Sequence, residues 1–90
     1  MREIVRSTAF KKDVKRAQKR GKDLERLKAV IVLLLSDEPL PERLRDHPLR
    51  GDWVGYRDLH IEPDWLLLYR KTNDVLMLAR MGTHADLFGE

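Results

Sequence analysis

The stretch Trp65-Leu66-Leu67-Leu68-Tyr69-Arg70-Lys71 decides the fold. Leu66 to Tyr69 are apolar at successive positions, so an extended chain there is apolar on both faces, as a central strand is. Two turn segments bound it at hairpin-like spacing, Glu62-Pro63-Asp64 before and Thr72-Asn73-Asp74 after. Beyond them lie two more strand candidates, Trp53 to Ile61 and Val75 to Met81. Residues 36–52, rich in Pro, Asp and Gly, read as an ordered loop. Ahead of that loop the period changes from two to nearly four. Ser7 is a candidate N-cap, and Phe10, Val14 and Ala17 recur at helical spacing until Gly21 closes the element. Asp23 caps a second helix, whose stripe Leu24, Leu27, Ile31 and Leu34 is widened by Val30 and Leu35. Arg2 to Arg6 is short and strand-like, through Ile4 and Val5. The order β-α-α-β-β-β predicts an α+β fold: a twisted, mostly antiparallel sheet with an N-terminal helical hairpin on one face. The other face is expected to stay partly open to a ligand.

The 90 residues, 1–90, fit a single domain. So short a chain buries only about 60–65% of its unfolded surface and gains from a partner. Cysteine is absent, which removes disulfides and thiolate metal sites and suits a reducing cytoplasm. The first residues, Met1 to Arg6, do not read as a signal peptide. The longest apolar run, Ala29 to Leu35, is far below the roughly 20 residues of a membrane span. The expectation is a cytoplasmic protein with no membrane association. Net charge is +3, made of +7 on residues 1–35 and −4 on residues 36–90. The basic half, with Lys11, Lys12, Lys15, Arg16, Lys19 and Arg20 in its first helix, is either a face for a polyanion or a solvated helix surface.

The chemistry-bearing residues lie in the C-terminal half. The three histidines are His47, His60 and His84, each at a turn or strand end. Adjacency of the last three strands would bring them to one rim. Three readings are open. The histidines are independent surface groups, or they join Asp64 in a zinc shell, or they act without metal on RNA. The zinc reading lacks a short His-x-His or His-x-x-x-His pair on a regular element. On RNA, the 2′-hydroxyl is a built-in nucleophile. The enzyme then has only to take that proton, protonate the departing 5′ oxygen and stabilise the charged transition state. Imidazole suits the proton transfers, with an ordinary pKa of about 6.5. Arg80, four residues before His84, is a candidate phosphate clamp; the competing reading is a salt bridge to Asp58 or Asp64. Trp65 and Phe88 are candidates for stacking on bases, against core packing as the alternative for Trp65.

Several segments together resemble the YafQ-type branch of the RelE/ParE superfamily of bacterial toxins. They are Lys12-Asp13-Val14-Lys15 with Ala17-Gln18-Lys19-Arg20, Asp46-His47-Pro48-Leu49, Gly55-Tyr56-Arg57-Asp58, His60-Ile61-Glu62-Pro63-Asp64-Trp65, and Gly82-Thr83-His84-Ala85-Asp86-Leu87-Phe88-Gly89. The resemblance spans the chain in order. It implies a RelE-like fold with a short C-terminal turn or helix. It also implies a ribosome-dependent messenger RNA endonuclease that needs no cofactor or metal. Such a toxin is held inactive by a cognate DinJ-like antitoxin with a ribbon-helix-helix start and an acidic tail. The family's active-site residues fall on His47, His60, Asp64 and His84, with Trp65, Phe88 and the phosphate-directed Arg80 as contributors. His84 is then the general acid, His60 or Asp64 the base or its orienting partner, and His47 a phosphate-binding or relay residue. The products would be a 2′,3′-cyclic phosphate, or the 3′-phosphate formed from it, and a 5′-hydroxyl. Gyrase inhibition without catalysis, as in relatives of ParE, is the competing function. The 70S ribosome, with which the basic helix would make contact, is the expected site of action.

Overall fold

The computed structural model describes residues 2–89. In chain order the elements are β1 (Glu3–Arg6), α1 (Thr8–Lys19), α2 (Leu24–Leu35), β2 (His47–Pro48), β3 (Arg57–Glu62), β4 (Trp65–Lys71), β5 (Val75–Gly82) and α3 (His84–Phe88). Short 3₁₀ turns occupy Glu42–Leu44 and Gly51–Trp53. The sheet order is β1-β5-β4-β3-β2. β4 is therefore central, as its two apolar faces predict. The pairs β2–β3, β3–β4 and β4–β5 are antiparallel, while β1 runs parallel to β5. The sheet is thus mixed. The parallel pairing follows from the connection: α1, α2 and the intervening strands carry the chain back to the side where it began.

The helix boundaries come from local chemistry. Ser7 Oγ accepts from Phe10 N–H at the start of α1, and Asp23 Oδ1 accepts from Glu25 N–H at the start of α2. Each such cap contributes about 1 kcal/mol. Gly21, at φ 78°, ends α1 with Gly21 N–H on the Gln18 carbonyl and Lys22 N–H on that of Ala17. Phe10, Ala17, Leu27, Val30 and Leu34 from the hairpin pack onto Leu59, Ile61, Trp65, Leu67, Tyr69, Leu76, Leu78 and Met81 of the sheet. The face away from the hairpin is not bare, since Leu66 and Leu68 there are fully buried.

Two boundaries differ from the sequence reading. The strand expected over Trp53–Ile61 begins at Arg57, because Trp53 and Tyr56 close a turn and pack edge to face at 5.4 Å. The loop expected over residues 36–52 contains β2, where Pro48, which lacks an N–H, sits on the outermost strand of the sheet. Ser7 also ties the parallel edge: its backbone N–H donates to the Leu78 carbonyl and its hydroxyl to that of Ala79, at 3.1 and 2.6 Å. Ala79 is the extra residue of a bulge, since Leu68 pairs with Arg80 and Tyr69 with Leu78.

Candidate active site

Each histidine owes its position to a different device. His47 pairs with Asp58 across β2–β3, and the residue before it is pinned by two side chains. Asp46 accepts from Arg57 at 3.0 and 2.8 Å through Oδ2, and from the Tyr69 hydroxyl through Oδ1. Burial and the neighbouring Asp46 carboxylate push the Tyr69 phenol well above its ordinary range, so it stays a donor. His60 lies on β3 beside a bulge: His60 pairs with Leu66 and Glu62 with Trp65, leaving Ile61 as the extra residue. Asp58 and His60, two apart on one strand, project to the face away from the hairpin. His84 is the first residue of α3.

That short helix is set by a reciprocal cap. Thr83 Oγ1 accepts from Asp86 N–H and Asp86 Oδ2 accepts from Thr83 N–H, both at 3.0 Å. Arg20 from α1 donates to both Asp86 oxygens, at 2.6 and 3.2 Å, and Arg16 stands 3.8 Å away. The Arg20 guanidinium and the Thr83 backbone N–H hold the Asp86 carboxyl far below the usual carboxylate range. Gly82 leaves room for this arrangement: a Cβ there would lie 2.9 Å from Asp86 Cβ and 3.2 Å from an Arg16 guanidinium nitrogen.

The expected convergence occurs at one rim. Asp64, on the β3–β4 turn, accepts from the His84 backbone N–H at 2.9 Å and lies 2.6 Å from His84 Nδ1. These contacts, the backbone N–H first, lower the Asp64 carboxyl below its ordinary range, so it stays ionised. The His60 and His84 rings meet edge to face with centroids 5.7 Å apart, and the His47 and His60 rings are 6.4 Å apart. Beside them opens a cleft of about 580 Å³, lined by His60 and His84 with Arg26, Arg43, Arg45 and Glu62 among its walls. His47 does not line that cleft and borders the rim behind His60. Among the described residues, no three His, Asp or Glu side chains are arranged to hold a metal ion. No helix of the described chain is long and apolar enough to cross a membrane.

The other candidates are placed differently. Arg80 donates to Asp13 of α1 through Nε at 2.8 Å and a terminal nitrogen at 3.1 Å. Its partner is thus neither Asp58 nor Asp64. Trp65 is 1% exposed within the core, with Lys22 Nζ 5.5 Å above its ring, so core packing describes it and no face is open to a base. Phe88 ends α3 half-buried. On α1, Lys11, Lys12, Lys15 and Lys19 are exposed, whereas Arg16 and Arg20 are engaged by Asp13 and Asp86.

Asp58 is the functional candidate that sequence reasoning weighed only as a salt-bridge partner for Arg80. It is buried, with Oδ1 3.2 Å from His47 Nδ1 and 4.0 Å from His60 Nε2. His47 Nδ1–H donates to the Arg45 carbonyl at 2.8 Å, so Asp58 Oδ1 has no aligned donor. Burial therefore raises the Asp58 carboxyl, against the pull of His47, His60 and His84. Its signal in the sequence was the i, i+2 spacing to His60 on a strand.

The histidine–aspartate rim thus sits on a small mixed sheet backed by a basic helical hairpin. Residues 2–89 match the family model described as the bacterial toxin of a type II toxin–antitoxin system, YafQ. The mRNA interferase toxin YafQ of Escherichia coli strain K12 is 53% identical over 89 residues, covering 98% of this chain and 97% of that protein. The crystal structure of YafQ from Escherichia coli strain BL21(DE3) superposes with a TM-score of 0.93 at 51% identity, over 99% of this chain and 100% of the other. The toxin in the Escherichia coli DinJ–YafQ toxin–antitoxin complex gives 0.90 at 53% identity, over 98% of both chains. The chain belongs to the YafQ family of type II toxins.

Proposed function

We propose that this protein is a metal-independent endoribonuclease that cuts messenger RNA on the ribosome and thereby stops translation. The observation that carries the reading is the His84–Asp64 contact of 2.6 Å beside His60, at the mouth of a cleft walled by arginines. The Asp64 carboxylate accepts a hydrogen bond from His84 Nδ1–H, which fixes the tautomer and leaves Nε2 toward substrate. Held in this orientation at the mouth of the cleft, His84 is suited to protonate the departing 5′ oxygen. Because Asp64 is committed to His84, His60 is the better candidate to take the 2′-hydroxyl proton. Attack of that oxygen on phosphorus yields a 2′,3′-cyclic phosphate, or the 3′-phosphate formed from it, and a 5′-hydroxyl. His47, with Asp58 beside it, relays protons or steadies phosphate behind His60.

The exposed lysines of α1 support a contact with ribosomal RNA, and the ribosome would supply positioning that so small a surface lacks. A cognate antitoxin, DinJ-like with an acidic tail, is the expected restraint. An apolar groove of about 530 Å³ between α1 and α2 supports this, lined by Phe10, Val14, Leu27 and Ile31 and rimmed by Lys11, Lys15 and Lys28. Induction of the wild type should arrest growth and create new 5′ ends in translated messages, and His84→Ala should abolish both with the fold intact. Cleavage on programmed ribosomes should survive chelation under conditions that keep the ribosome assembled. Full toxicity of His84→Ala would refute the assignment. Arrest with trapped gyrase–DNA complexes and no new ends would establish the gyrase alternative instead.

A further inference from the structure

The cleavage chemistry leaves extra negative charge on the non-bridging phosphate oxygens, and a metal-free site meets it with fixed cations. Arg80 is turned away to Asp13, which accepts from its Nε and one terminal nitrogen. Arg26 and Lys22 are turned to Glu62, at 3.2 and 3.1 Å. Those two contacts also neutralise Glu62, the cleft's carboxylate. What remains in the wall is Arg43 and Arg45, on the segment joining α2 to β2. Among the described residues neither has a carboxylate partner.

We infer that Arg43 and Arg45 are the phosphate-binding cations of the cleft, holding the RNA backbone against His60 and His84; this rests on the ribonuclease reading. Arg45 has a backbone feature of its own. It lies in the left-handed region, φ 50° and ψ 39°, and is the one non-glycine with positive φ among the described residues. A glycine would sit there without strain, yet the position carries a guanidinium. Its backbone is fixed on both sides: Arg45 N–H donates to the Glu42 carbonyl at 3.0 Å, and its own carbonyl lies 2.8 Å from His47 Nδ1. The preceding Leu44 is 1% exposed in the core and anchors the segment. One residue therefore orients an imidazole with its backbone and presents a planar, fork-shaped donor set to the cleft, a geometry suited to phosphate.

Arg45→Gly separates the two contributions, since it keeps the left-handed backbone and removes the guanidinium. Cleavage of ribosome-bound message by the wild type sets the reference, and its absence would refute the underlying ribonuclease reading. Given that cleavage, Arg45→Gly and Arg43→Ala should each lower kcat/KM by about 10- to 100-fold, with Arg45→Lys recovering part of the loss. The thermal midpoint of Arg45→Gly should equal or exceed that of the wild type. A second readout is binding of a single-stranded RNA with every sugar 2′-O-methylated, followed against salt. Each substitution should flatten the log–log slope by about 0.7, and Arg70→Ala, outside the cleft wall, should leave it unchanged. Wild-type rates and slopes in the Arg43→Ala/Arg45→Gly double variant would overturn the inference, as would an equal effect of Arg70→Ala. A wild type whose RNA affinity is indifferent to salt would overturn it as well.

Discussion

Asp13 is 4% exposed and accepts from Arg80 twice, from Arg16 at 2.9 Å and from the Met81 backbone N–H at 2.9 Å. Asp13→Asn keeps the shape and one acceptor oxygen but removes the charge. Breaking a buried ion pair by removing one partner costs about 3–5 kcal/mol, because the remaining charge is stranded. The Arg80 side chain retains 27% of its exposure, so water recovers part of that. The expected loss is then about 2–3 kcal/mol. Against a total stability of about 5–13 kcal/mol for a chain of this size, the effect is large. At roughly 4–8 °C per kcal/mol it corresponds to a fall of about 10–20 °C in Tm. Urea unfolding should show a lower midpoint at unchanged m. Arg80→Met should lose a similar amount, and the double variant should lose less than the sum. Cleavage assayed well below either midpoint should persist in both. An Arg80→Met variant with native Tm and no cleavage would refute this reasoning and return Arg80 to the phosphate.

Three further outcomes follow from the rim. Asp64→Asn should lower kcat by about 100-fold or more with KM little changed, because His84 loses the carboxylate that fixes its tautomer and orientation; equal kcat in single-turnover assays would remove Asp64 from the mechanism. Gly82→Ala should displace α3 through Asp86 and reduce cleavage more than it reduces Tm, checked by both measurements on one preparation. Asp58→Asn addresses the raised carboxyl: a folded-state pKa above the unfolded one means stability present at low pH and lost as pH rises. The difference in Tm between Asp58→Asn and the wild type should therefore grow more positive from about pH 4 to about pH 8. A flat difference would show that Asp58 is well compensated.

The local features of the fold were legible. Ser7, Gly21 and Asp23 announce their caps in the residue types themselves, and the doubly apolar Leu66–Tyr69 marks the centre of the sheet. The meeting of His60, Asp64 and His84 was foreseen from strand adjacency, and family resemblance selected these residues among the alternatives. What periodicity does not carry is pairing between distant segments. Asp13 and Arg80, 67 residues apart, each read as an ordinary helix or strand charge until α1 docks on β5. The parallel sense of β1 has the same origin, since Ile4 and Val5 look alike in either direction. Arg43 and Arg45 were passed over because a proline-rich connection gives no spacing from which to judge which side chains face a cleft.

The first strand has a single hydrogen-bonded neighbour in the sheet, and it is the last strand, with Glu3 opposite Val75 and Arg6 opposite Leu78. During synthesis the first strand therefore has no partner in the sheet until Val75 to Leu78 have been made. A chain interrupted before Val75 lacks His84, the strand that holds its own beginning and the acceptors for Ser7. Fragments from translation aborted at that point thus lack the rim where Asp64 meets His84.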